Sequence, residues 1–285
     1  MPGFNLSRGA SNFAVFLVVL LVGAMVMPVA ATTQMEESVT LVQTGNDLMA
    51  QGRYGDALIA FDSAIEKDPY SSLAWNGRGI ALLKMGAIKG APEAFKKAVE
   101  IDPYYVTAWD NLGDSYTYLG SFPEAIDAYD RAIAVNPNDL YAMVHKGMCL
   151  QELGKPEQAM QLYDDTVKLA EYEVRKHPND ARYDTRLWAN KGDALYRLGR
   201  YQEAIDAYSV ALQINPKNEQ ALDGKKAVEA VIRVPSATTG RVPPPLESLT
   251  PTPTQSRAAP LSLLPVAGAA GILLLLFRQR NRKDR

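Results

Sequence analysis

His145 and Cys149 stand four residues apart in LYAMVHKGMCL, and both are residue types that ligate metals. Positions i and i+4 share one face of a helix. The pair therefore offers two points of a metal site, a weak arrangement when both come from one helix. The simpler reading is a partly buried imidazole beside a packed thiol. Asp164 and Asp165 are adjacent carboxylates, the residue type used in acid–base work, but a solvated charged face is the simpler account. His177 is the only other histidine. No phosphate-cradling glycine loop, no His-Glu-x-x-His and no Cys/His metal spacing is present. Nothing pairs a nucleophile with a base. The sequence thus predicts no catalytic residue, no metal site, no cofactor and no enzyme.

Composition narrows the partners. The chain has 285 residues, a net charge of -2 and 47% apolar residues. The last eight, RQRNRKDR, carry five basic groups and one acid, so the remainder is acidic. That argues against nucleic acid as a partner. Cys149 is the only cysteine, which rules out an internal disulfide framework.

The apolar residues concentrate at the two ends. FAVFLVVLLVGAMVM (13–27) follows Arg8 and precedes the small residues Val29, Ala30 and Ala31. That order reads as a signal peptide over 1–31, either cleaved after Ala31 or kept as an uncleaved anchor. A second run, LSLLPVAGAAGILLLLF (261–277), reaches roughly 25 Å as a helix, near the short limit for crossing hydrocarbon. The basic tail 278–285 follows it and is expected to stay cytoplasmic. The Pro/Thr-rich stretch 235–260 reads as an extended stalk. Together these predict a single-pass membrane protein whose middle faces outward.

That middle repeats. KDP, IDP and VNP place Pro69, Pro103 and Pro137 34 residues apart. Trp75 and Trp109 keep the same step, and Trp188 returns later. Gly45, Gly79, Gly113, Gly147 and Gly192 form one column, and Gly52, Gly86, Gly120, Gly154 and Gly199 a second. Five units result, 38–71, 72–105, 106–139, 140–184 and 185–218, after a short lead-in at 32–37. Residues 219–234 read as a capping helix, closing a domain over 38–234. The fourth unit is 45 residues long. Its Trp column holds Met143, and Thr166 replaces an alanine. Seven extra residues are two helical turns, so KLAEYEVRKHP is expected to lengthen its second helix, with a protruding end.

The columns Trp109, Leu112, Gly113, Tyr116, Gly120, Phe122, Ala125, Tyr129, Ala132 and Pro137 resemble the tetratricopeptide repeat, and the fifth unit matches as well. The resemblance implies an all-α fold, a right-handed α-α superhelix of paired helices. It also implies that the first helices line an inner groove holding a peptide or helix of a partner protein. By resemblance the inner positions include Asn76, Lys84, Asp110, Asn111, Asp114, Tyr118, Tyr141, His145, Glu152, Arg186, Asn190, Asp193 and Arg197. Asn111 and Asn190 hold the column where relatives clamp a peptide backbone, an amide being donor and acceptor at once. Asn190 and Arg197 supply part of a carboxylate clamp, although Asp193 stands between them. Asp110 and Asp114 favour a partner with basic character. The expected role is a surface-anchored interaction scaffold. The alternatives are an assembly chaperone for a membrane or envelope complex, or an accessory subunit of an enzyme.

Overall fold

Each unit folds as two helices because a glycine ends the first and a proline follows the second. Gly52, Gly86, Gly120, Gly154 and Gly199 all take positive φ, near +70° to +79°, the left-handed cap that glycine adopts without strain. The computed structural model describes residues 29–233. The remaining segments, 1–28 and 234–285, contain the expected stalk, apolar run 261–277, basic tail and most of the signal. They lie outside the described residues. Among the described residues no helix is long and apolar enough to cross a membrane.

The helices, in chain order, are α1 (Val29–Ala50), α2 (Tyr54–Lys67), α3 (Ser72–Lys84), α4 (Ala91–Ile101), α5 (Val106–Tyr118), α6 (Phe122–Val135), α7 (Leu140–Glu152), α8 (Pro156–Lys176), α9 (Pro178–Ala181), α10 (Thr185–Arg197), α11 (Tyr201–Ile214) and α12 (Glu219–Arg233). A 3₁₀ turn at Ile88–Gly90 precedes α4. Among the described residues the helices run in consecutive pairs, α1/α2, α3/α4, α5/α6, α7/α8 and α10/α11, with the short α9 after the fourth pair and α12 after the fifth. One boundary differs. Residues 32–37 are not a lead-in but part of α1, because no glycine or proline interrupts the chain there.

First helices pack on first helices: α1 on α3, α3 on α5, α5 on α7, α7 on α10 and α10 on α12. Second helices lie between a first helix of their own unit and the next one. The result is a two-layer stack whose inner layer is made of first helices. No unit buries its apolar face alone; neighbours do it.

The seam has one recurring element. Phe61, Phe95, Tyr129, Tyr163 and Tyr208 come from the second helices and are fully buried. Each rests on the glycine of its own unit's first helix. A Cβ at Gly45, Gly79, Gly113, Gly147 or Gly192 would lie 2.4–2.6 Å from the facing ring. The aromatic also reaches the next unit: Tyr129 packs with Ala142 and Cys149, and Phe61 and Tyr208 press on Gly77 and Gly224. The glycine column is therefore a seat for a ring rather than a plain helix crossing.

The fourth unit lengthens as expected. α8 has 21 residues where α6 and α11 have 14. Its end protrudes on one side only. Tyr172, Arg175 and Lys176 are exposed, while Ala170 joins Leu140, Ala181, Leu187, Val174 and Trp188 in a small core. The extra chain also replaces a lost contact. Trp75 and Trp109 donate their indole N–H to the carbonyls of Pro69 and Pro103. Trp188 donates instead to Ala181 of α9, at 2.8 Å. Thr166 is fully buried and donates to the Leu162 carbonyl.

Candidate functional site

A cleft of about 570 Å³ opens on the inner layer across units three to five. Its walls are Val106, Thr107, Asp110, Asn111 and Asp114 of α5, Leu140 and Tyr141 of α7, and Arg186, Leu187 and Asn190 of α10. Gln220 of α12 and the turn residues Asn136, Asn138, Asp139 and Asp184 complete it, with Glu173 from the lengthened part of α8. Five carboxylates face one guanidinium. Of the expected groove residues, Asp110, Asn111, Asp114, Tyr141, Arg186 and Asn190 line this cleft. Asn76, Lys84, Tyr118, His145, Glu152, Asp193 and Arg197 do not.

Much of the inner face is already bonded to itself. Asn111 Nδ2 donates to Asn76 Oδ1 at 2.9 Å, and Asn76 Nδ2 donates to the Tyr105 hydroxyl at 3.1 Å. Asn190 Oδ1 accepts from Gln220 Nε2 at 2.8 Å. Both expected clamp amides are therefore structural links between units. Each keeps its other atom, Asn111 Oδ1 and Asn190 Nδ2, outside those bonds.

The aspartates follow a rule of their own. Asp114 accepts from the hydroxyls of Tyr129 and Tyr141, each at 2.7 Å. Asp193 accepts from the Tyr208 hydroxyl and from Gln220 at 2.7 Å. In both cases the carboxylate ties the first helix to the aromatic 15 residues on and to the start of the next unit's first helix. Where the aromatic is Phe61 or Phe95, the aspartate's place holds Asn46 or Ile80, and before Tyr163 it holds Met148, that hydroxyl donating to Gln151 Oε1 instead. Asp193 is buried, and burial pushes its carboxyl up. It is a strut, not a groove contact. Tyr118 is half-buried, and burial with the nearby Asp114 charge pushes its hydroxyl up to about 12.

The carboxylate clamp has no room. Arg197 is only 5% exposed, and Asn190 Oδ1 is held by the cap helix. His145 and Cys149 also part company. The imidazole stacks on Tyr141 with centroids 3.9 Å apart and turns Nδ1 toward Asp114 Oδ1 at 3.7 Å. Burial pushes its pKa down, so the ring is neutral. Cys149 Sγ lies 3.3 Å from Thr117 Oγ1, and burial pushes the thiol up to about 11. Its thiol is inert. Asp164 and Asp165 sit on the surface beside Lys168. Among the described residues no group of three or more His, Cys, Asp or Glu is placed to hold a metal.

Asp110 stands apart. Its Oδ1 is buried without a hydrogen-bond partner. Burial, then the charges of Asp139 and Asp114, push its carboxyl up to about 8, with Arg186 opposing. The unfolded group ionises near 3.8. Between those values folding takes up a proton, so this group lowers stability as pH rises. Asp110→Asn is expected to stabilise the fold by about 1–3 kcal/mol near pH 8. The gain should shrink on acidification and vanish below about pH 4. Thermal unfolding across pH checks this.

Sequence reading missed Gln220, Tyr105, Glu173 and Asp184 as parts of the inner face. Glu173 lies in the insert, whose length was the only signal for it, and Asp184 stands in the cap column with Ser71 and Asp139. Asp139 and Asp184 double as helix caps, accepting from the backbone N–H groups of Ala142 and of Arg186 and Leu187.

Tetratricopeptide-repeat profiles match residues 42–106 and 111–181, and another such profile matches 185–218, together well over half of the chain. No curated protein matches the sequence. Solved structures of similar architecture include a thermophilic TPR protein of Thermus thermophilus, 22% identical, covering 68% of this chain and 98% of that one, with a TM-score of 0.51. Pseudomonas aeruginosa pilF is 20% identical over 70% of this chain and 86% of its own, with a TM-score of 0.50. A chain of the APC/C hetero-tetramer Cut9-Hcn1 is 20% identical over 70% of this chain and 38% of its own, with a TM-score of 0.53. Likeness at these identities establishes the fold alone.

Proposed function

Because the chain belongs to the tetratricopeptide-repeat family, we propose that it is a protein-interaction scaffold, held at the cell membrane with its repeats outside, that grips a segment of a partner protein on its inner face. The observation that carries this reading is the cleft across units three to five. It is where carboxylates, free amide atoms and apolar side chains converge in a concavity. The membrane part rests on the sequence: the apolar runs 13–27 and 261–277 and the basic tail 278–285.

Replacing Asn111 and Asn190 is a poor test, since both amides hold units together. Thr107 is exposed on the cleft wall and is better suited. Full-length Thr107→Trp, captured from native membranes, is expected to lose the proteins that the unaltered chain retains. Lys168→Trp, on the exposed side of α8, is expected to keep them. Identical partner sets for both variants would remove the support for an inner-face grip.

A further inference from the structure

We infer that the cleft across units three to five selects a basic segment, seating a lysine or arginine side chain of an extended partner peptide between Asp110 and Glu173, the acid added by the fourth unit's insert. This rests on the inner-face reading above and adds the chemistry of the occupant.

Three observations converge. The first is charge. Asp110, Asp114, Asp139, Glu173 and Asp184 face the cleft, with Arg186 the only cation among its lining residues. Such an excess repels an acidic partner and attracts a basic one. The second is where the unpartnered groups lie. Among the described residues, the buried side-chain polar atoms without a hydrogen bond are Asp110 Oδ1, His145 Nδ1, and Arg197 Nε and Nη2. All belong to the first helices of units three to five. His145, nine-tenths buried, aims Nδ1 at Asp114 across 3.7 Å, and both Asp114 and the Tyr141 on which it stacks line the cleft. Of these atoms, Asp110 Oδ1 alone belongs to a residue that lines the cleft, and it leaves an acceptor unpaired at the wall. Asp110 is half-buried at the cleft wall, and its carboxyl accepts where a basic side chain donates. The third is the insert itself. Glu173 is on the two extra turns of α8, oriented by Asn138 Nδ2 at 3.0 Å, and Asp184 follows α9. A unit of 34 residues would lack Glu173, while Asp184 holds the cap position that Asp139 holds one unit earlier. Asn111 Oδ1 and Asn190 Nδ2 remain to meet the peptide backbone, while Leu140, Leu187 and Val106 take the aliphatic stem of the side chain.

The test uses the full-length chain in detergent and three labelled octapeptides, in which glycine alternates with arginine, glutamine or glutamate. Fluorescence anisotropy is expected to show binding of the arginine peptide at least tenfold tighter than the glutamine peptide, weakening with salt. Asp110→Asn combined with Glu173→Gln is expected to erase that preference at unchanged helix content and unfolding temperature at least as high. Glu173→Lys, at a half-exposed position that keeps the fold, is expected to favour the glutamate peptide. Equal binding of the arginine and glutamine peptides, or a preference that survives the double variant, would overturn the proposal. So would tighter peptide binding after deletion of 278–285, which would make the chain's own basic tail the occupant. Capture of native partners that depends on Thr107 but not on Asp110 and Glu173 would leave the scaffold reading standing and sink this one.

Discussion

Tyr129→Ala is expected to destabilise the protein by about 3–5 kcal/mol, the range for emptying a fully buried aromatic site. Tyr129 is completely buried, sits on Gly113, and packs against Ala142 and Cys149 of the following unit. Its loss opens a cavity at a seam that two units share. It also removes one of the two hydroxyls that Asp114 accepts from. Tyr129→Phe separates the two effects: it keeps the ring and removes only the bond, at a cost of about 1–3 kcal/mol. Stability in a stacked array is a sum of units and nearest-neighbour contacts. The Tyr129→Ala melt should therefore broaden or split, with units three and four opening before the rest. Chemical denaturation followed by circular dichroism measures both quantities. A cost under about 1 kcal/mol, far below that range, would mean that the ring does not hold the seam.

Gly113→Ala is expected to cost about 2 kcal/mol or more, because its new methyl carbon would stand 2.5 Å from Tyr129 Cε1. Elsewhere in a helix the same change stabilises by roughly 0.5–1 kcal/mol. Here the ring cannot give way, being tied to Asp114 through its hydroxyl and packed against the next unit. The sign should reverse once the ring is gone. In the Tyr129→Ala background, Gly113→Ala is expected to stabilise, since the methyl enters an empty space and the backbone gains rigidity. The pair therefore couples strongly, and a double-mutant cycle reads the coupling directly. Additive effects would mean that glycine and ring do not meet.

These two positions show what the sequence made legible. A 34-residue step with glycine and proline columns fixes where helices begin and end, because those residues act through the backbone. The length of α8 followed from one number, seven residues being two turns. The inner face was less legible for a physical reason. Asn111 bonds Asn76 in the preceding unit, and Asn190 bonds Gln220 in the cap. Such pairings depend on the relative rotation of neighbouring helices, which a column of residues does not reveal. Asp114 and Asp193 each stand 15 residues before a tyrosine, while the phenylalanine units carry no aspartate there and Tyr163 has Met148. That pairing was visible in the chain, yet the column read as groove because its polar residues had two uses, joining units and meeting a ligand. Glu173 escaped because the insert has no counterpart in the repeat, and Asp184 because its column, shared with Ser71 and Asp139, reads as helix caps.

The scaffold role depends most directly on which face of the solenoid meets a partner. A photo-crosslinking residue placed at Thr107 of the full-length chain, and in a parallel preparation at Lys168, reports this in native membranes. Adducts with another protein from Thr107 and none from Lys168 are predicted. Adducts from Lys168 alone would place the contact on the second helices and contradict the inner-face grip.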